Sequence, residues 1–87
     1  MTIISSEQVR RLVEQIWDDV LGAAASRREA TFYDLGGQSM SAIRIVTRIE
    51  DELGVTVDVT ELFDDPDLET LVETVLVRAR AARRLAG

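Results

Sequence analysis

The chain has no cysteine and no histidine among its 87 residues. The first absence excludes disulfides and thiolate chemistry, and with them any sign of an oxidising compartment. The second removes the commonest general base and metal ligand. Lysine is missing as well, so all ten bases are arginine, which we read as compositional bias. There is one proline, and aromatic residues make up only 5%. No apolar run approaches the ~20 residues of a membrane span, and no basic stretch followed by an apolar one opens the chain. The expectation is a cytoplasmic protein with no membrane partner. Net positive charge is also absent: at −6 overall, the chain has no basic face for a phosphate backbone, which argues against nucleic acid.

What is present suits one small folded domain, with 46% apolar and 30% charged residues. A chain of this size buries about 60–65% of its unfolded surface, enough for one core but not for a cleft between subdomains. The charge is uneven. From Asp34 to Glu69 there are ten acids and two bases, Arg44 and Arg48, a balance of −8.

The hydrophobic pattern is helical throughout. Ser5 with Gln8 fits a capping box, and Val9, Leu12, Val13, Ile16 and Val20 then share a face with Trp17 at its edge. Gly22 ends this helix. Residues 23–38 form a long connection in which Phe32 and Leu35 are the strong apolar anchors; its length suggests a functional loop. A second helix runs from about Ser39 to Leu53 and stops at Gly54. Val55-Thr56-Val57 reads as a buried extended link, and Thr60–Phe63 as one short helical turn. Asp67 caps a last helix with a stripe of Leu68, Leu71, Val72, Val75, Leu76 and Ala79. The expected fold is all-α, with three longer helices and one short one, a core at about 6–78 and a frayed tail at 79–87. We expect Ile16, Phe32, Leu35, Ile45, Ile49, Leu71 and Val75 in the core.

The most informative segment is Asp34-Leu35-Gly36-Gly37-Gln38-Ser39. Ser39 stands at the positive end of a helix with no side chain in the sequence to activate it, a poor place for a nucleophile working alone. It is a good place for a serine that another enzyme modifies with a phosphate-containing group, since the helix-end amides favour an anion. Gly36 and Gly37 permit positive φ and leave the approach bare. An ordinary N-cap serine after a loop would use the same letters.

The second helix adds a further signal. At ~100° per residue, Ala42, Ile45, Val46, Ile49 and Leu53 fall in one core-facing arc. Met40 and Ile43 lie outside it, beside Arg44, Thr47 and Asp51, so two apolar side chains near Ser39 face solvent. Single exposed hydrophobes are common, but here they flank the one chemically notable residue, and we expect a partner-docking face of Met40, Ile43 and Arg44. Glu50-Asp51-Glu52 and Asp64-Asp65-Pro66-Asp67 form no metal or catalytic cluster; both read as solvated or capping acids, the first also a candidate for steering partners.

The run from Ala30 to Ile43, containing Phe32-Tyr33-Asp34-Leu35-Gly36-Gly37-Gln38-Ser39, resembles the signature of peptidyl carrier proteins, the thiolation domains of nonribosomal peptide synthetases. Val55 to Leu71, with Leu62-Phe63 and Pro66, is similar to the third-helix region of that family. The resemblance covers the chain from about Glu7 to Val77. It implies a four-helix carrier and a 4′-phosphopantetheine arm on Ser39, with Gly36, Gly37 and Gln38 forming the attachment motif. The arm would come from coenzyme A through a phosphopantetheinyl transferase, and its thiol would hold an aminoacyl or peptidyl thioester. The partners implied are an adenylation enzyme and condensation or tailoring enzymes of natural-product (antibiotic) biosynthesis. The chain itself would be a monomeric carrier and not an enzyme. Gln38 stands where that family more often has histidine, asparagine or aspartate. Acyl carriers of fatty-acid or polyketide type share the fold but typically place aspartate before the serine and lack the paired glycines. A carrier of a non-amino acyl group and an unmodified helical adaptor remain as alternatives. Met1 and Gly87 read as the ends of a discrete carrier.

Overall fold

The computed structural model describes residues 5–22 and 27–86, with side chains through residue 81. Four helices follow in order: α1 (Ser6–Leu21), α2 (Ser39–Leu53), α3 (Thr60–Phe63) and α4 (Leu68–Ala86). The all-α expectation holds, with no strand among the described residues beyond one isolated antiparallel bridge between Thr31 and Asp67.

Local chemistry sets most of the boundaries. Ser5 Oγ accepts from the Gln8 amide at 3.1 Å while Gln8 Oε1 accepts from the Ser5 amide at 2.9 Å, a complete capping box. Gly54 ends α2 in the left-handed region at φ 68°, its N–H donating to the Glu50 carbonyl. Asp67 Oδ1 accepts the Thr70 amide at 2.8 Å and starts α4. That helix continues through Ala86, into the stretch where the sequence suggests fraying, because its alanines, arginines and leucine all favour helix. Gly87 lies outside the described residues. No described helix is long and apolar enough to cross a membrane.

α1 packs against both α2 and α4. Val13, Ile16, Trp17, Phe32, Ile45, Ile49, Leu62, Val72 and Val75 are fully buried and form the centre of the core. Every residue expected in the core is buried, including Leu35 and Leu71. Three positions on α1 differ from the pattern, Val20 among them, which is only half-buried. Leu12 is only half-buried, and Trp17, placed by periodicity at the edge of the stripe, is wholly enclosed. For Trp17 the reason lies outside the helix: the loop after α1 folds Phe32 onto it, with ring centroids 6.4 Å apart at a 56° tilt. Val55 and Val57 are buried as an extended link, as their propensity and lack of a partner strand suggest.

Candidate functional site

The loop from Ala30 to Gln38 has an internal structure that delivers α2's first residue to the surface. Thr31 and Asp34 cap one another: the Thr31 amide donates to Asp34 Oδ2 and the Asp34 amide to Thr31 Oγ1, each at 3.2 Å. Within this turn Leu35 N–H donates to the Thr31 carbonyl, Gly36 N–H to Tyr33 and Gly37 N–H to Phe32. The Thr-x-x-Asp spacing is a capping-box signal legible in sequence, although the hydrophobic anchors are the more prominent feature there.

The two glycines have different duties. Gly36 takes φ 81°, where a side chain is strained, and the space around it is open. Gly37 does not use positive φ. A Cβ there would lie 2.5 Å from Phe32 Cε1, so Gly37 is a packing requirement. The loop backbone can lie on the buried Phe32 ring only because residue 37 has no side chain.

Ser39 is the first residue of α2 and is exposed; Gln38 is the N-cap, with extended backbone and no side-chain cap bond. The serine is therefore not the capping residue that the plain alternative requires, and its hydroxyl bonds to no described group. Ala42 N–H donates to the Gln38 carbonyl at 2.9 Å, leaving the amides of Ser39, Met40 and Ser41 without an acceptor among the described residues. No acid occupies the first turn of α2, so nothing on the helix offsets the positive end of its dipole. Ser41 is half-buried and Arg44 exposed.

Met40 and Ile43 are 62% and 47% exposed, as the helical phase implies. The loop and α3 add two exposed aromatics that the pattern does not single out, Tyr33 at 47% and Phe63 at 39%. The Tyr33 hydroxyl donates to the Phe63 carbonyl at 3.3 Å, and the Tyr33 and Phe32 rings are 5.5 Å apart. A strand-like letter pattern or a helical stripe would have revealed such residues; a loop and a one-turn helix have neither. The shifted ionisations belong to ion pairs and helix-capping acids, none of them within residues 30–47. Arg78, in a bidentate pair, holds Glu61 below the usual carboxylate range, and the Thr70 amide does the same for Asp67.

A bundle that displays an exposed serine at a helix start, its hydroxyl bonded to no described group, is suited to being acted upon. The family model described as the phosphopantetheine attachment site matches residues 11–75, and the chain belongs to that family. It is similar to phosphinothricin tripeptide synthetase PhsC of Streptomyces viridochromogenes, at 36% identity over 69 residues, covering 79% of this chain and 6% of that protein. A linear gramicidin synthase of Brevibacillus parabrevis is 32% identical over 80 residues, 92% of this chain and 1% of that protein. A phenolphthiocerol/phthiocerol polyketide synthase of Mycobacterium tuberculosis is 35% identical over 68 residues, 78% of this chain and 4% of that protein. The chain thus spans between 1% and 6% of the length of these relatives. No solved structure matches it. Its cofactor is the covalent 4′-phosphopantetheine of the family, and it is a carrier domain of the kind found in nonribosomal peptide synthetases. The geometry accommodates such a group: an exposed hydroxyl, three amides with no acceptor among the described residues beside it, and no acid on the first turn of α2.

Proposed function

We propose that Ser39 is the attachment point and that the chain carries aminoacyl or peptidyl groups in nonribosomal peptide biosynthesis. The observation that carries this reading is the exposure of Ser39 at the first position of α2, behind Gly36-Gly37, within the matched segment. In the modification, Ser39 Oγ bonds to the phosphorus of coenzyme A's pantetheine phosphate. The phosphoanhydride bond breaks, adenosine 3′,5′-bisphosphate leaves, and the hydroxyl proton passes to a base of the phosphopantetheinyl transferase. This chain has no histidine or cysteine to serve there. The unpaired amides of residues 39–41 and the helix dipole stabilise the resulting phosphodiester. When bound, the arm supplies a terminal thiol on which an acyl group travels as a thioester.

The chain's own part is display and docking, with catalysis left to its partners. Met40, Ile43 and Arg44 form the docking face for the transferase, the adenylation enzyme and condensation or tailoring enzymes. One carrier must visit several of these, so each contact is small and transient. The carrier works as a monomer in the cytoplasm. Similarity to a polyketide synthase supports a second reading, a carrier of a non-amino acyl group, and loading with aminoacyl against acyl-coenzyme A donors separates the two.

The test of the attachment point is Ser39→Ala. Because the hydroxyl caps nothing, stability should stay within about 0.5 kcal/mol, as for a surface change, while modification by a promiscuous transferase is abolished. Intact mass is the readout, and a pantetheinylated Ser39→Ala protein would overturn the assignment.

A further inference from the structure

Among side chains that give an electron pair to a peroxide, this chain holds two thioethers, Met1 and Met40, and one indole, Trp17; it has no cysteine. Trp17 is wholly enclosed, and Met1 lies outside the described residues. Met40 is the second residue of α2, directly after Ser39. At 62% it is the most exposed of the large hydrophobic side chains described. Ile43, three residues on, is its neighbour on the helix surface and is exposed as well. An unbranched thioether is flexible and polarisable, which suits a surface that several enzymes must grip in turn. The same sulfur is open to any oxidant in the surrounding water.

We propose that Met40 is a reversible oxidation site whose sulfoxide disables the docking face beside Ser39. The proposal rests on Met40 belonging to that face. The oxidant is a hydroperoxide. The Met40 sulfur gives an electron pair to one peroxide oxygen, an S–O bond forms and the O–O bond breaks. Sulfur is oxidised by two electrons and the peroxide reduced by two. The proton of the transferred hydroxyl passes to the departing oxygen, which leaves as water or an alcohol. On the free carrier the added oxygen stays in water, so the fold tolerates it. A partner does not. Docking takes the patch around Met40 out of water, and an acceptor with no donor opposite it loses its hydration. A methionine sulfoxide reductase, drawing on a thiol reductant, removes the oxygen and restores the apolar surface. The carrier thus stops being a good substrate while peroxide is abundant and recovers afterwards.

The test treats the apo chain, which lacks the arm's own thiol, with dilute hydrogen peroxide that catalase then removes. Peptide mass mapping should place one added oxygen on Met40, with the thermal midpoint unchanged. A promiscuous phosphopantetheinyl transferase should then show a KM for the oxidised carrier raised about tenfold or more, with kcat held. Reductase treatment should return KM to its starting value. Met40→Leu, whatever its own KM, should show no peroxide-dependent change. A Met40 left intact under conditions that consume free methionine would overturn the site, as would an equal peroxide effect in Met40→Leu. Sulfoxide at Met40 with an unchanged KM would overturn the switch. If Met40→Asp raises KM in the same assay, the docking face then stands without the switch; if it does not, both fall. A chain that takes no arm before peroxide would remove the attachment point, and this role for Met40 with it.

Discussion

The Tyr33 backbone N–H donates to Asp65 Oδ1 at 2.8 Å, tying the loop before α2 to the turn before α4. Phe32 N–H donates to the Pro66 carbonyl at 2.8 Å beside it, and Thr31 bridges to Asp67. Asp65 holds φ 61°, in the left-handed region that aspartate tolerates better than most side chains. A strap of consecutive contacts thus positions the segment that presents Ser39.

Asp65→Ala should keep the unfavourable φ and lose the acceptor, costing about 1–3 kcal/mol. Asp65→Asn retains an oxygen acceptor and tolerance for this φ, and should cost less. Thermal denaturation separates them, since 1 kcal/mol moves the midpoint by ~4–8 °C in a domain of this size. Equal losses would mean that the carboxylate does not hold the strap.

Gly37→Ala brings a methyl against Phe32, whose ring is fully buried with Trp17 beside it and cannot withdraw. Overpacking should cost about 1–3 kcal/mol. Phe32→Leu in the same chain should relieve part of that cost, so the pair will be non-additive in a denaturant-melt double-mutant cycle. Strict additivity would show that residue 37 and the ring do not meet.

Met40→Asp and Ile43→Asp should each leave stability within about 0.5 kcal/mol, as expected for exposed positions. Both should reduce loading by the cognate adenylation enzyme at limiting carrier concentration. Loading and stability are measured on the same samples. A parallel fall in both would place the two residues in the core.

Acid should weaken the fold through carboxylates held below their ordinary range: Glu61 by Arg78, Glu69 by Arg10 and Asp67 by the Thr70 amide. Each is more acidic folded than unfolded, so its stabilisation is full above the usual carboxylate range and is lost as pH falls through the folded values. Glu61→Gln should cost on the order of 1 kcal/mol at neutral pH, kept small because the Arg78 side chain is 40% exposed. The variant should also lose less of its melting temperature than the parent between about pH 7 and about pH 3. An unchanged acid-induced drop would mean that this pair carries none of the dependence.

The features legible in the sequence are those set within a turn or two of chain. The Ser5–Gln8 box, the stop at Gly54, the cap at Asp67 and the stripe through Ala42, Ile45 and Ile49 depend on hydrogen bonds and periodicities spanning three or four residues. The same phase puts Met40 and Ile43 outward and Ser39 at a helix start. Tertiary structure decided what depends on distant partners. Trp17 is central because Phe32 covers it, Gly37 is needed because that ring lies beneath it, and Asp65 adopts its strained φ where it meets Tyr33. Arg48 of α2 meets Asp19 only because the end of α1 lies against α2. No local pattern encodes these pairings. They arise when separate apolar faces are buried together, and the burial energy that drives this carries no direction of its own.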